Sequence, residues 1–441
     1  MSKLVLSFYG DDFTGSTDVM EALASNGIPT VLFMHIPDAQ LLARFSHCRA
    51  IGIAGASRSE TPDWMEENLT PMFEWLKSLK ADYCHYKVCS TFDSSPSAGS
   101  IGKAIEIGRR VFAQKYVPLI VGAPQLKRYT CFGHLFAAYQ GENYRIDRHP
   151  VMSRHPVTPM RESDLRLHLA QQTGLKTDLI DLAMLQCEGG GAAIEQLVLA
   201  AEGIVLIDVD GPRSQLRAGQ ELARLKPDCG WFAAGSSGLE YALLMHWRNA
   251  GLLGEKPDFP SPGAADRIAV MSGSVSPTTE RQIRHACQNG FAALPVDPLA
   301  LVGEDAEAAV TQAVSAGLAA LQAGISPLIH TALGPAEDAG ERLDGARHKI
   351  GRALGRILRR LIEQENLTRA VIAGGDTSSH ALKELGIEAL TTLLPLPETP
   401  GSPLCLAHGG GKAADGLQIA LKGGQVGADD YFSMIRRGGS A

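Results

Sequence analysis

The 441 residues are 45% hydrophobic and 20% charged, the composition of an ordinary globular protein long enough for two or three domains rather than one core. A formal charge of −7 argues against a broad nucleic-acid or anionic-membrane surface, while leaving room for a local cationic pocket. The eight cysteines form no CxxC pair and no stretch offers the roughly 18 apolar residues of a membrane span, so a soluble cytoplasmic chain with free thiols is expected.

The apolar run ending at Tyr9 is too short for a signal peptide and reads as a first buried strand. Strands are predicted at 3–9, 29–34, 49–54, 83–89, 117–122, 203–208 and 231–234. Amphipathic helices are predicted at 62–79, 101–114, 159–172 and 213–225. Such alternation implies a mainly parallel sheet covered on both faces. The aromatic stretch 131–148, with its Gln140-Gly141-Glu142-Asn143 turn, reads as a hairpin excursion. Residues 253–266 lack periodicity and carry Pro and Gly, the pattern of an interdomain linker. A second series follows, with strands near 267–272, 291–295, 326–331, 368–373, 389–394 and 417–421. Its clearest helix is 342–364, where Leu343, Ala346, Ile350, Leu354, Ile357 and Leu361 share a face and Arg352, Arg356, Arg359 and Arg360 make a solvated one. The fold class expected is α/β, with domains 1–252 and 267–441 that are each a mainly parallel sheet flanked by helices.

Open α/β sheets bind ligands beyond the carboxyl ends of their strands, so the loops after each strand carry the chemistry. The first is Gly10-Asp11-Asp12-Phe13-Thr14-Gly15-Ser16-Thr17-Asp18. Helix capping needs one of these polar residues, not six, and an aspartate here could take a proton from a substrate hydroxyl. The second is Lys87-Val88-Cys89-Ser90-Thr91-Phe92-Asp93-Ser94. Lys87 lies in a strand that should be buried and needs an anion, either Asp93 or a bound carboxylate. The hydroxyls of Ser90, Thr91 and Ser94 suit a polyhydroxylated ligand. After the strand 117–122, Arg128 can grip a carboxylate in two-pronged fashion. Gly235-Ser236-Ser237-Gly238 is a tight turn without nucleophile-elbow spacing.

Beyond the linker the loops turn glycine-rich. Ser272-Gly273-Ser274-Val275-Ser276-Pro277 and Ala373-Gly374-Gly375-Asp376-Thr377-Ser378 each run from a strand into a helix. Glycines let backbone amides approach an anion there, and the helix start adds partial positive charge. Asp376 would repel phosphate and suits a cap, a Mg²⁺ or a ribose instead. Gly409-Gly410-Gly411-Lys412 is not a Walker A motif. Leu421-Lys422-Gly423-Gly424-Gln425-Val426-Gly427 supplies a third glycine turn, and three of them favour a nucleotide site.

With these blocks in their order, and with His155-Pro156-Val157-Thr158-Pro159-Met160 between them, the chain resembles the four-carbon acid sugar kinase family over nearly its whole length. The resemblance implies an acid-sugar domain, an ATP domain, and chemistry in the cleft between them with ATP and Mg²⁺. It places Ser274, Ser276, Gly374, Gly375, Asp376, Thr377 and Gly424 along ATP. It turns Asp11, Asp12, Lys87, Asp93 and Arg128 toward the acid sugar, with Thr14, Ser90, Thr91 and Ser94 as further contacts. Asp12 is the favoured base, with Asp11 beside it and Asp93 in reserve. Two departures stand out: the late loop reads Gly423-Gly424-Gln425-Val426-Gly427 instead of Ser-Gly-Asn-Phe-Gly, a change that ATP binding survives, and Ser97-Ala98-Gly99-Ser100 replaces a Gly-Asn pair, which bears on the substrate. Relatives of this kind also act on branched keto acids. The partner expected is a small sugar acid, with neither nucleic acid nor membrane, and homo-oligomerisation is left open. A two-lobed sugar-acid binding protein would explain the first domain but leave the glycine turns idle. A serine hydrolase on Ser236 or Ser237 lacks a His/Asp constellation.

Overall fold

The computed structural model describes residues 3–155, 157–187, 190–227, 230–334, 346–411 and 413–439, with the Asp376 side chain excepted. Two compact units emerge, one formed by Met1–Val31 with Ile36–Pro257 and the other by Leu32–His35 with Asp258–Ala441.

The first unit contains β1 (Leu6–Gly10), the first half of β2 (Thr30–Phe33), β3 (Ala50–Ala54), β4 (Tyr83–Lys87), β5 (Val117–Ile120), β6 (Arg128–Cys131), β7 (His134–Tyr139), β8 (Glu142–Arg145), β9 (Thr177–Ile180), β10 (Ile204–Ile207) and β11 (Trp231–Gly235). Its main sheet runs β3-β1-β4-β11-β5-β10-β9, every pair parallel. These strands read as continuous apolar runs because helices cover both faces; Leu6, Phe8, Leu119, Ile120 and Leu206 are fully buried. The expected hairpin at 131–148 is part of a three-stranded antiparallel sheet, β6-β7-β8. Helices Pro62–Ser78, Ile101–Phe112 and Pro212–Leu225 form within a residue or two of expectation. The helix expected at 159–172 shrinks to Leu165–Leu169, because its first residues run extended until Asp164 caps the turn. Strand β9 was not foreseen; three of its four residues are half-exposed, so its apolar signal is weak.

The second unit holds β12 (Ala269–Ser272), β13 (Phe291–Pro295), β14 (Ser326–His330), β15 (Arg369–Ala373), β16 (Ile387–Leu394), β17 (Leu404–Gly409) and β18 (Gln418–Lys422). Strands β13-β14-β12-β15-β18 are parallel, and β17 and β16 continue the sheet antiparallel. Leu32 and Phe33, at the end of β2, pair antiparallel with Leu390 and Ala389. The sequence reading omitted β17. The core gathers Val270, Leu328, Val371, Ala420, Tyr431 and Phe432. Helix Arg347–Glu365 buries Ile350, Leu354, Ile357 and Leu361 as its periodicity requires, and the expected start at Leu343 lies outside the described residues. Of the linker 253–266, no residue enters a helix or strand.

Each sheet has a switch point. Strand β1 sits between β3 and β4, and β12 between β14 and β15, so the loops leaving β1 and β4, or β12 and β15, diverge there, the place where open α/β sheets bind their ligands.

Candidate active site

In the first unit, parallel register sets Gly10 beside Lys87 and Lys87 beside Gly235, so three strands release their loops at one level. The Asp11 amide donates to the Lys87 carbonyl at 2.8 Å, and the Arg58 amide donates to the Asp11 carbonyl at 3.0 Å. The turn after β3 is thereby brought against the loop after β1. Asp12 caps helix Phe13–Ala24: its Oδ1 accepts from the Gly15 amide at 2.5 Å, and its Oδ2 accepts from Arg58 Nη1 at 2.7 Å. Arg58 Nη2 reaches both oxygens of Asp93, at 3.0 and 2.7 Å. Asp93 also accepts from Thr91 Oγ1 at 2.5 Å and Thr158 Oγ1 at 3.2 Å. One guanidinium therefore ties two of the expected aspartates together.

Asp11 is different. It is buried, and its Oδ1 has no hydrogen-bond partner among the described residues. Burial and the neighbouring Asp12 push its pKa up to about 7, against the pull of Arg58 and Lys87. An orphaned buried carboxyl costs free energy and points to something that meets it when the site is filled. Asp93 goes the other way: burial opposes its charge, but Arg58 and Thr91 outweigh that and hold its pKa below the usual value.

Lys87 does not pair with Asp93. Its Nζ lies 3.7 Å from Asp18 Oδ2 and donates to the Val88 carbonyl at 3.1 Å. Asp18 also accepts a short bond from Ser237. A Cβ at Gly15 would sit 3.1 Å from Lys87 Nζ and 2.7 Å from Asp12 Oδ1, so only glycine leaves this ammonium uncovered.

Ser94 does not face the crevice. Its Oγ donates to the Phe92 carbonyl, meets His168 Nε2 at 2.9 Å and accepts from Gln172 at 2.9 Å, a full set of partners. Thr91 is spent on Asp93. Thr14 and Ser90 are half-buried, and no side-chain bond takes either hydroxyl among the described residues. Arg128 opens β6, with Nη1 donating to the carbonyls of Leu126 and Lys127 at 3.0 and 3.1 Å, and its buried Nε has no partner among the described residues. Cys89 is close enough to interact electrostatically with both Arg58 and Arg128. Ser236 donates to the Val121 carbonyl and Ser237 to Asp18, so neither hydroxyl meets a histidine, and the hydrolase reading has no support.

Arg58 was missed by sequence reasoning, and Asp18, the last residue of the first loop, was given no role of its own there. Arg58 lies in a short turn, Ser57–Ser59, that looks like an exposed cation, and its one signal was the position just after a buried strand. Asp18 sits a turn and a half into a helix, where an acid usually faces water.

In the second unit, the three glycine turns converge. A Cβ on Gly273 would strike Thr377 Oγ1 at 2.1 Å, and one on Gly424 would lie 2.9 Å from Ser274 Oγ. Gly374 has φ +119°, and a Cβ there would approach Thr377 Oγ1 to 3.1 Å and the Ser274 amide to 3.5 Å. Ser276 caps helix Pro277–Cys287 through the Thr278 amide, while Ser274 Oγ accepts from the Ser276 amide and from Thr279 Oγ1. Gly375 and Thr377 open helix Gly375–Leu385, and their amides find no main-chain acceptor among the described residues. A ring of small residues and free amides at helix starts fits a polyphosphate. The backbone of Asp376 lies in that first turn, while its side chain is outside the described residues, as is Lys412. Lys422 was also missed: it is buried beneath Gly423 and Gly424.

Residues 6–243 match the family model of a sugar-binding N-terminal domain, and residues 269–432 match that of a nucleotide-binding C-terminal domain. The chain is 47% identical to 3-oxo-isoapionate kinase of Paraburkholderia graminis, covering 99% of this chain and 94% of that one. It is 30% identical to 3-oxo-tetronate kinase of Pseudomonas fluorescens, covering 97% and 96%. Among solved structures, a Haemophilus influenzae protein of the DUF1537 family superposes with a TM-score of 0.70 at 23% identity, covering 97% of this chain and 98% of that one. That likeness speaks for the fold alone. Two domain models in order, a relative near half-identity along the whole chain, and two loop clusters of matching chemistry place this chain in the four-carbon acid sugar kinase family.

Proposed function

We propose that this chain transfers the γ-phosphate of ATP to a hydroxyl of a short 3-oxo sugar acid, with the branched 3-oxo-isoapionate class first and the straight 3-oxo-tetronates second. The 47% identity to a 3-oxo-isoapionate kinase over 99% of the chain carries the substrate choice. The order of the two candidates follows from the lower identity, 30% or less, to the 3-oxo-tetronate kinases. ATP suits the glycine cradle of the second unit, and Mg²⁺, when bound with it, would neutralise phosphate charge. The seven described cysteines are all free, which suits a reducing cytoplasm.

Asp11 is the base in this reading. A hydroxyl delivered to its unpartnered Oδ1 would give up its proton there as the phosphorus is attacked. Asp12 moves from base to positioning residue, because both its oxygens are taken, and Asp93 is held anionic by Arg58. Lys87, already balanced by Asp18, offers positive potential near the nucleophile. Arg128, whose guanidinium has no acidic partner among the described residues, takes the substrate carboxylate. A sugar-acid binding protein without chemistry leaves the phosphate cradle unexplained.

The test is an ADP-release assay across branched and straight C4–C6 sugar acids and their 3-oxo forms. Turnover of a 3-oxo acid, with the branched one preferred, is expected. Absence of ADP release with every acid of the panel overturns the reading.

A further inference from the structure

Lys422 ends β18, is 1% exposed, and sits under the glycine turn that follows it. Its Nζ donates to the carbonyls of Gly423 at 2.8 Å and Gly424 at 3.3 Å and to Thr279 Oγ1 at 3.2 Å. All three acceptors are neutral. The charged groups on the surrounding elements look elsewhere. On helix Pro277–Cys287, Glu280 pairs with Arg284 and Arg281 with Asp429. On helix Tyr431–Arg437, Arg437 pairs with Asp430 and Arg436 holds the carbonyls of Asn289 and Gly290. Arg369 of β15 is spent on Gln418 and main-chain carbonyls. On helix Gly375–Leu385, Glu384 pairs with Arg352 and the Asp376 side chain lies outside the described residues; among the described residues only the Tyr431 ring, 6.0 Å away, faces the ammonium. A buried cation with no counter-charge among the described residues is costly, and burial draws the Lys422 pKa down to about 7.

The position explains the expense. A trans peptide sends its carbonyl and its N–H to opposite sides. Lys422 pulls the Gly423 and Gly424 carbonyls toward itself, so the amides of Gly424 and Gln425 point away from it. Neither amide is used by a main-chain acceptor among the described residues. Gly424 is also the residue that packs on Ser274 and Ser276 of the neighbouring phosphate turn.

We infer that Lys422 is the cationic floor of the phosphate site: it sets the amides of the third glycine turn toward the nucleotide's phosphates and takes up a proton when they bind. This rests on the kinase reading above and adds a residue and a proton to it. No transferred atom touches Lys422, so it is a positioning residue.

Calorimetric titration of the full-length protein with MgADP, in two buffers of different ionisation enthalpy, counts the protons exchanged. The phosphate itself titrates near pH 6 and lower with a bound metal, so at pH 8 the ligand is silent. Wild type is expected to take up close to one proton per site at pH 8 and few at pH 6. Lys422→Arg, always charged, should bind MgADP with no uptake and with an affinity that is flat from pH 7 to 9. Lys422→Met should bind about 10- to 100-fold more weakly and also without uptake. Wild-type binding without uptake at pH 8, or uptake that persists in Lys422→Arg, overturns the inference while leaving the kinase reading intact. Wild type that fails to bind MgADP sinks both. If Lys422→Met does not fold, the wild-type and Lys422→Arg proton counts still decide.

Discussion

Two adjacent aspartates share one loop but not one state. Asp12 is clamped by the Gly15 amide and Arg58, whereas Asp11 is buried with a free oxygen. Asp11→Asn should therefore lower kcat about 10²–10⁴-fold while leaving MgADP affinity unchanged, as removal of a general base does. In wild type, kcat/KM should rise with pH through about 7, since the base must be ionised and its carboxyl is held protonated below that. Equal activity of Asp11→Asn and wild type would send the role back to Asp12. Arg128→Ala should act differently, raising the KM of the sugar acid by the equivalent of about 1.5–3 kcal/mol with little change for ATP. Equal use of the neutral sugar alcohol would refute that. These aspartates and Lys87 were legible because each follows a buried strand, where a polar cluster has to be explained. Their pairing was not legible. Which cation meets which acid depends on Arg58, supplied from the next loop, and on Asp18, supplied from one helical turn further on, and neither is fixed by spacing.

At the scale of elements, the switch points decide where function sits. The parallel order β3-β1-β4-β11 was readable as alternating strands and helices, and it places four loops at one end of the first sheet. The antiparallel end of the second sheet was not: β17 follows Pro403 directly and pairs with β16 through two register shifts, so no helix marks the connection. The three glycine turns were legible as glycines placed directly after strands. Their convergence was not, because it rests on the absence of side chains at Gly273, Gly374 and Gly424. Gly424→Val tests that packing. Its branched side chain would press on Ser274 Oγ, which lies only 2.9 Å from where a Cβ at this position would sit, and so should raise the KM for ATP severalfold or more. The KM for the sugar acid should stay put. A Gly424→Val enzyme with normal ATP kinetics would remove that turn from the nucleotide site.

For the molecule as a whole, the unpartnered acid trades stability for readiness. In the unfolded chain Asp11 titrates near 3.8, and in the folded chain near 7. Between these values the folded state holds a proton that the unfolded state has lost, so stability falls as pH rises from about 4 to about 7 and stays reduced above. This is the reverse of a salt-bridged carboxylate such as Asp93, whose folded-state value is lowered and whose contribution is lost on acidification. Asn at position 11 cannot ionise, so it escapes the loss. Thermal unfolding of Asp11→Asn and wild type, compared at pH 4.5 and pH 8, should show the variant gaining on wild type as pH rises and melting higher at pH 8. A difference in Tm that stays constant across the range would mean that Asp11 is not the strained carboxyl, and with it the base assignment would fall.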